Sequence, residues 1–243
     1  MNRTLAFAGR NAKEIVRDRI NLLFGMGFPV ILLLLLSAIQ KNVPTELFPI
    51  ARLTPGIAVF GLSFISLFSG MLIARDRTGA FVQRLFTSPM RAGDFLLGYI
   101  LPLFPMALAQ GAVCYLTALC LGLPVTANLL PALAVLLPTA LLFIAIGLLC
   151  GSLFTDRQVG GLCGALLTNL SAWLSDTWFD VSLVGGAFER VADALPFIHA
   201  VKAGRAALAG DWGGIFPHLW WVVGYAAAVL AVAVWVFRRR MRG

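Results

Sequence analysis

Five windows of this chain contain no Asp, Glu, Lys or Arg: residues 20–40, 53–74, 95–155, 158–175 and 212–237. A helix crosses the hydrocarbon core of a bilayer with about 20 consecutive, predominantly apolar residues, and 18 uncharged residues in a row already qualify as a candidate. The helices of a soluble domain carry a charged outer face, and these windows have none. Apolar residues make up 60% of the chain and charged ones 12%, against about 25% charged in soluble domains. A soluble globular enzyme, a disordered chain and a nucleic-acid-binding module are excluded, despite the net charge of +8. The fold class is an all-α, polytopic membrane protein.

The long window 95–155 is interrupted by the turn-like stretch Leu121-Gly122-Leu123-Pro124-Val125-Thr126-Ala127-Asn128 ahead of Pro131, which divides it into two helices. Six spans result, over roughly 22–39, 55–74, 95–119, 131–154, 159–175 and 217–237. An even number places both termini on one side, and basic residues select that side. With the termini inside, fourteen Lys and Arg residues fall on the inner segments and five on the outer. Both termini are therefore expected in the cytoplasm, in a membrane of the bacterial inner-membrane type. The positive charge reports topology, and no nucleic-acid partner is expected.

Three segments lie outside the spans. In the first, Leu5, Ala8, Ala12, Ile15, Arg19 and Leu22 approximate one helical stripe, and Arg10, Lys13, Glu14, Arg17 and Asp18 the polar side. Residues 1–21 are read as an interfacial helix carrying membrane lipid contacts. The second, residues 75–94, contains Phe81 and Leu85 at i,i+4 with Val82 and Phe86 beside them, and ends at Ser88-Pro89. Such a helix either lies on the lipid surface or fills a groove on a cytoplasmic partner. The third, residues 176–211, has an amphipathic pattern in Val184, Phe188, Val191 and Leu195, a break at Leu195-Pro196-Phe197, and a second short helix ending near Gly210. It reads as a re-entrant or interfacial hairpin, or as an ordinary external loop.

Enzymatic chemistry has little to work with. His199 and His218 are the two histidines, neither within H-E-x-x-H, so no zinc-protease ligand set exists. Gly61-Leu62-Ser63-Phe64 superficially resembles a nucleophile motif but lacks its second glycine, and Ser63 reads as a back-bonding helix serine. Cys114, Cys120, Cys150 and Cys163 fall inside spans without metal-ligand spacing and read as small packing residues. No Walker-type phosphate loop is present, so the chain binds no ATP of its own. Gly147/Gly151 and Gly160/Gly164 form small-x-x-x-small pairs that join either neighbouring spans or protomers. Trp173, Trp178, Trp212, Trp220 and Trp221 mark the outer boundary and Trp235 the inner one.

The order of these parts resembles the permease subunits of ATP-binding-cassette type-2 exporters, in their drug-exporter branch. The resemblance rests on Arg17-Asp18 with Pro29 in the first span, Pro55-Gly56 opening the second, and above all the stretch from Arg75 to Gly98. There Asp76-Arg77, Gly79, Arg84-Leu85, Ser88-Pro89 and Gly98 match the family pattern, while Ala80, Phe81, Gln83 and Tyr99 depart from it. Leu195-Pro196-Phe197, Ala203-Gly204-Arg205 and Gly210 resemble its outer stretch.

The resemblance implies a pair of six-span permeases, identical or sister chains, each docked on a separate ATPase subunit that holds ATP and Mg. It makes the 75–94 loop the coupling helix, with Arg75, Asp76, Arg77, Gly79, Phe81, Arg84 and Leu85 at the ATPase. Asp156 and Arg157 form a secondary coupling loop. Spans two and five would face the translocation path, with Phe60, Phe64, Phe68, Asn169 and Trp173 as lining candidates. The implied function is outward, ATP-driven movement of a hydrophobic or amphipathic substrate. Polysaccharide or glycolipid export and a non-transporting anchor subunit are the alternatives.

Overall fold

The computed structural model describes residues 3–78 and 92–242, and every element within them is helical. Helix α1 (Arg3–Arg17) is followed by α2 (Arg19–Asn42), which contains a π-helical segment at Leu23–Gly27. Then come α3 (Ile50–Thr78), α4 (Ala92–Cys120) and α5 (Leu129–Leu153). Helix α6 covers 156–173, and its middle, Gly160–Leu167, is π-helical. A single 3-10 turn at Val181–Leu183 leads to α7 (Gly186–Ala194), α8 (Pro196–Ala209) and α9 (Trp212–Arg242). The apolar pair Phe81 and Leu85, with Gly79 and Arg84, lies outside the described residues.

The helices outrun the uncharged windows at most of their ends. Charges delimit the windows, but a charged side chain near a helix end can reach water while its backbone stays helical. Five helices are long and apolar enough to cross a membrane: Arg19–Asn42, Ile50–Arg77, Gly93–Cys120, Leu129–Leu153 and Trp212–Arg239. The sixth expected span, α6, is not among them, because its 18 residues include Asp156, Arg157, Gln158 and Asn169. It nevertheless runs the same course as its neighbours. Its first turn follows Phe154, whose carbonyl accepts from Arg77 at the end of α3, and its last precedes Asp176, which binds Arg52 at the start of α3.

Helix α3 is the centre of the bundle, with 89% of its apolar window buried against 28% for α2 and 17% for α9. Its most extensive partner is α5. Small residues permit that approach: a Cβ added at Gly147 or Gly151 would collide with the carbonyl oxygens of Ser66 and Gly70 on α3. Ser69 Oγ donates to Ile144 O across the same contact at 3.1 Å. The Gly147/Gly151 pair therefore joins spans within the chain. Gly160 has no neighbour within 4 Å of an added Cβ. Cys150 and Cys163 stand side by side where α5 meets α6.

The α7–α8 hairpin folds back into the helical bundle. Helix α8 wedges between α3, α5 and α9. Its last turn meets the start of α5, where Asn128 Nδ2 donates to Leu208 O at 3.2 Å. At its first turn, Phe197 packs on Phe143, ring centroids 5.9 Å apart, about 20 Å further along α5 at 1.5 Å per residue. The tip at Ala194–Leu195 has the same depth along α9, because Tyr225 Oη donates to Ala194 O at 2.6 Å. Carbonyls at the end of α7 would be costly at that depth without partners. Tyr225 serves one, and His199 Nε2 serves Asp193 O at 2.8 Å. That bond leaves His199 Nδ1 to accept from His218 Nδ1, 2.9 Å away, while Trp221 stacks on the His199 ring at 5.0 Å.

Candidate functional site

Helices α2, α3 and α6 enclose a groove of about 560 Å³. Phe24 and Phe28 enter from α2, Phe60 and Phe64 from α3, Thr168, Asn169 and Trp173 from α6, with Trp178 and Phe179 beyond its end. The rings interlock edge to face: Phe28–Phe64, Phe60–Phe64 and Phe60–Trp178 each have centroids 5.8 Å apart. No Asp, Glu, Lys or Arg lines the groove. Asn169 Nδ2 donates to Ala165 O at 2.8 Å and Thr168 Oγ1 to Cys163 O at 3.0 Å. The two π-helical segments sit on opposite walls, Phe24 in one and Gly164 in the other. π-bulges inside α-helices are concentrated at functional sites.

Four of the five lining candidates, Phe60, Phe64, Asn169 and Trp173, meet in this groove. Phe68 does not. Its ring lies over Gly25, where an added Cβ would stand 2.6 Å from it, and it lines a smaller cavity of about 70 Å³ with Glu14, Asp18, Arg75 and Asp76. Two further turns of α3 past Phe60 carry it toward the α1 end of the bundle. Sequence reasoning missed Phe24, Phe28, Trp178 and Phe179. The i,i+4 spacing of Phe24 and Phe28, the same as that of Phe60, Phe64 and Phe68 in the next span, was the available signal.

At the α1 end, the three residues that open the 75–94 loop are each fastened to a different element. Arg75 Nη1 reaches Asp18 Oδ2 at 3.5 Å. Asp18 sits at the elbow between α1 and α2, caps α2 through Asn21 N at 3.3 Å, and accepts from Asn21 Nδ2 at 2.7 Å. Asp76 is 5% exposed and takes both guanidinium nitrogens of Arg10, at 2.6 and 2.8 Å, plus the Tyr99 hydroxyl at 2.9 Å. Arg77 donates to the carbonyls of Ser152 and Phe154, closing the C-terminus of α5. Asp76 and Arg77 thus have partners within the chain and form a stem for the loop. Asp156 and Arg157, one turn away, are exposed.

Helix α1 is held by a face that its apolar residues alone do not reveal. Thr4, Phe7, Ala8 and Asn11 are buried. Phe7 packs edge-on against Tyr99 and Phe95 of α4 at 5.0 and 5.8 Å, Asn11 Nδ2 donates to Gly98 O at 3.0 Å, and Thr4 Oγ1 to Asp94 Oδ1 at 3.2 Å. The expected stripe is accordingly rotated: Ala8 points inward, and Leu5 is 59% exposed. Burial opposes the charge of Arg10, but Asp76 outweighs it and the guanidinium pKa rises. Burial also lifts the Glu14 carboxyl above its ordinary value, against the pull of Arg10. Arg17 is exposed.

The opposite mouth is closed by a second charge cluster. Asp176 adopts a left-handed backbone, φ 62°, which Asp tolerates better than most residues. Its carboxylate caps Val181 N at 2.9 Å and accepts from Arg52 at 3.1 Å and from Arg205 Nη1. Arg205 also binds Asp176 O at 2.6 Å and Arg52 O at 3.0 Å. Burial lowers the Arg205 pKa, and Asp176 counters it. This clamp ties α8 to the start of α3 and to the segment that forms the groove's upper wall. Among the described residues, no group of three or more His, Cys, Asp or Glu is placed to hold a metal ion. Ser63 Oγ donates to Phe60 O at 2.7 Å and is fully buried, the geometry of a back-bonding helix serine.

Residues 2–209 match the family described as ABC-2 type transporter, a span that takes in everything from α1 to the end of α8. No curated protein matches the chain. The matched region contains the groove, the loop stem and the Arg205 clamp. With its apolar helices and the match across most of its length, the chain belongs to the ABC-2 type transporter family, as a membrane-spanning permease subunit.

Proposed function

We propose that this permease is the path-forming half of an ATP-driven exporter, paired with a second permease and with a cytoplasmic ATPase subunit that binds ATP and Mg. Six spans with both termini in the cytoplasm put the α1 end and the 75–94 loop at the ATPase. Phe81 and Leu85 would seat in the ATPase surface. The Arg75–Arg77 stem would pass that movement to α1, α4 and α5 as a rigid-body displacement. The substrate is hydrophobic or amphipathic, of drug, lipid or peptide type. The observation carrying this reading is the groove: seven aromatic rings and no formal charge, a lining that favours apolar ligands over free ions.

The test is substrate-stimulated ATP hydrolysis by the permease–ATPase pair in lipid vesicles. Phe64→Ala and Trp173→Ala should raise the concentration of hydrophobic substrate needed for half-stimulation about tenfold, leaving basal hydrolysis unchanged. Phe81→Asp/Leu85→Asp should release the ATPase. Coupled transport retained in that double variant overturns the coupling assignment, and stimulation by oligosaccharides alone overturns the substrate class.

A further inference from the structure

With the inner face of α1 occupied by α4, its outward surface divides into two stripes. Leu5, Ala12 and Val16 follow one another at seven and four residues, and Leu5 and Val16 are 59% and 67% exposed. Beyond the elbow, Ile20 and Leu23 continue the apolar surface at 71% and 68%. Alongside it run exposed Arg3, Lys13 and Arg17, with Arg19 at the elbow. No ion pair holds Lys13, Arg17 or Arg19 among the described residues. The same end of the bundle carries exposed Arg238 and Arg239 on α9, placed there by the contact of Phe237 with Phe95 at 6.3 Å. An apolar stripe flanked by unpaired cations is the complement of an anionic lipid leaflet, whose chains take the leucine and valine and whose headgroups take the bases.

We infer that α1 and its elbow form a docking surface for anionic phospholipid, and that lipid charge sets how firmly the loop stem is held. The link is covalent and short. The helix that carries Lys13 and Arg17 also carries Arg10, which grips Asp76, and the elbow carries Asp18, which grips Arg75. A leaflet that holds α1 flat holds both partners of the stem in place, so energy coupling depends on lipid charge. This inference rests on the exporter reading for its functional consequence, but not for lipid binding itself.

Two measurements separate them. The permease alone, in lipid discs of phosphatidylcholine with or without one quarter phosphatidylglycerol, reports lipid docking through its thermal unfolding. The permease–ATPase pair in vesicles of the same compositions reports coupling. A base near an anionic surface strengthens binding on the order of fivefold, so three together give ~100-fold. Phosphatidylglycerol should raise the unfolding midpoint, and high salt should erase the gain. Lys13→Gln/Arg17→Gln/Arg19→Gln should abolish it, while Lys13→Arg/Arg17→Lys/Arg19→Lys keeps it. Coupled hydrolysis should fall at least fivefold in pure phosphatidylcholine for the natural sequence and be insensitive to lipid in the glutamine variant. Equal midpoints in both discs, or a glutamine variant that retains the lipid response, overturn the inference. Loss of the ATPase from the glutamine variant in detergent would assign the basic stripe to that partner and overturn it too. A lipid-dependent midpoint without ATP hydrolysis in any vesicle would sink the exporter reading alone.

Discussion

Asp76→Asn removes one charge and almost no volume, and the structure fixes what that should cost. The carboxylate receives three hydrogen bonds, from Arg10 at 2.6 and 2.8 Å and from Tyr99 at 2.9 Å. Bonds to a charged group contribute about 1.5–3 kcal/mol each, but the Arg10 side chain is 33% exposed, so water replaces part of what it loses. The asparagine oxygen still accepts one bond. The net cost is then about 3 kcal/mol, the lower edge for breaking a buried ion pair. For a domain of this size that lowers the unfolding midpoint by about 6–12 °C. Thermal unfolding in mild detergent, followed by tryptophan fluorescence, measures it. A double-mutant cycle with Arg10→Gln should return a coupling of about 2 kcal/mol, since the two residues share one network. A midpoint shift under 2 °C, or additive single variants, would refute the assignment of Asp76 to an internal stem.

Three other outcomes follow from the geometry. Gly151→Ala drives a methyl group into the Gly70 carbonyl and should cost more than about 2 kcal/mol by parting α3 from α5, whereas Gly160→Ala, with open space, should leave the midpoint unchanged. Arg205→Lys keeps the charge but loses the planar fork that binds Asp176 and Arg52 O together; unfolding in the same assay should show a loss of about 2 kcal/mol, and an unchanged midpoint would sink the clamp. His199→Ala removes the ring that serves Asp193 O at 2.8 Å and should lower stability in the same assay by about 1–3 kcal/mol, the cost of a buried acceptor left unpaired; an unchanged midpoint would sink that role.

The membrane class and the helices were legible because hydrophobic runs and the turn residues between them act locally. The groove was half legible: Phe60 and Phe64 stand on α3, whose centrality follows from its apolar length, but Phe24 and Phe28 belong to it only because α2 folds back beside α3. Phe68 shows the converse, since helical periodicity puts it on the same face without saying how far that face stays open. The fate of Asp76 was not legible at all. A carboxylate at a loop opening reads as a surface charge, and only the packing of α1 on α4 brings Arg10 to it. The same packing rotated α1, because Thr4 and Asn11 are buried through hydrogen bonds to α4 that no hydropathy pattern encodes.

The α7–α8 hairpin constrains the order in which this chain can be assembled. The carbonyls at its tip are satisfied by Tyr225 and by a His199 ring held in place by His218 and Trp221, so three of those four side chains belong to α9. During synthesis α7 and α8 leave the ribosome before α9 exists. Until the last helix arrives, Ala194 O lacks its partner and the His199 ring that serves Asp193 O is unbraced, so the tip is favoured in contact with water. Packing of the hairpin into the bundle is therefore a late event, coupled to the arrival of the final helix, and α9 acts as the bolt that closes the fold.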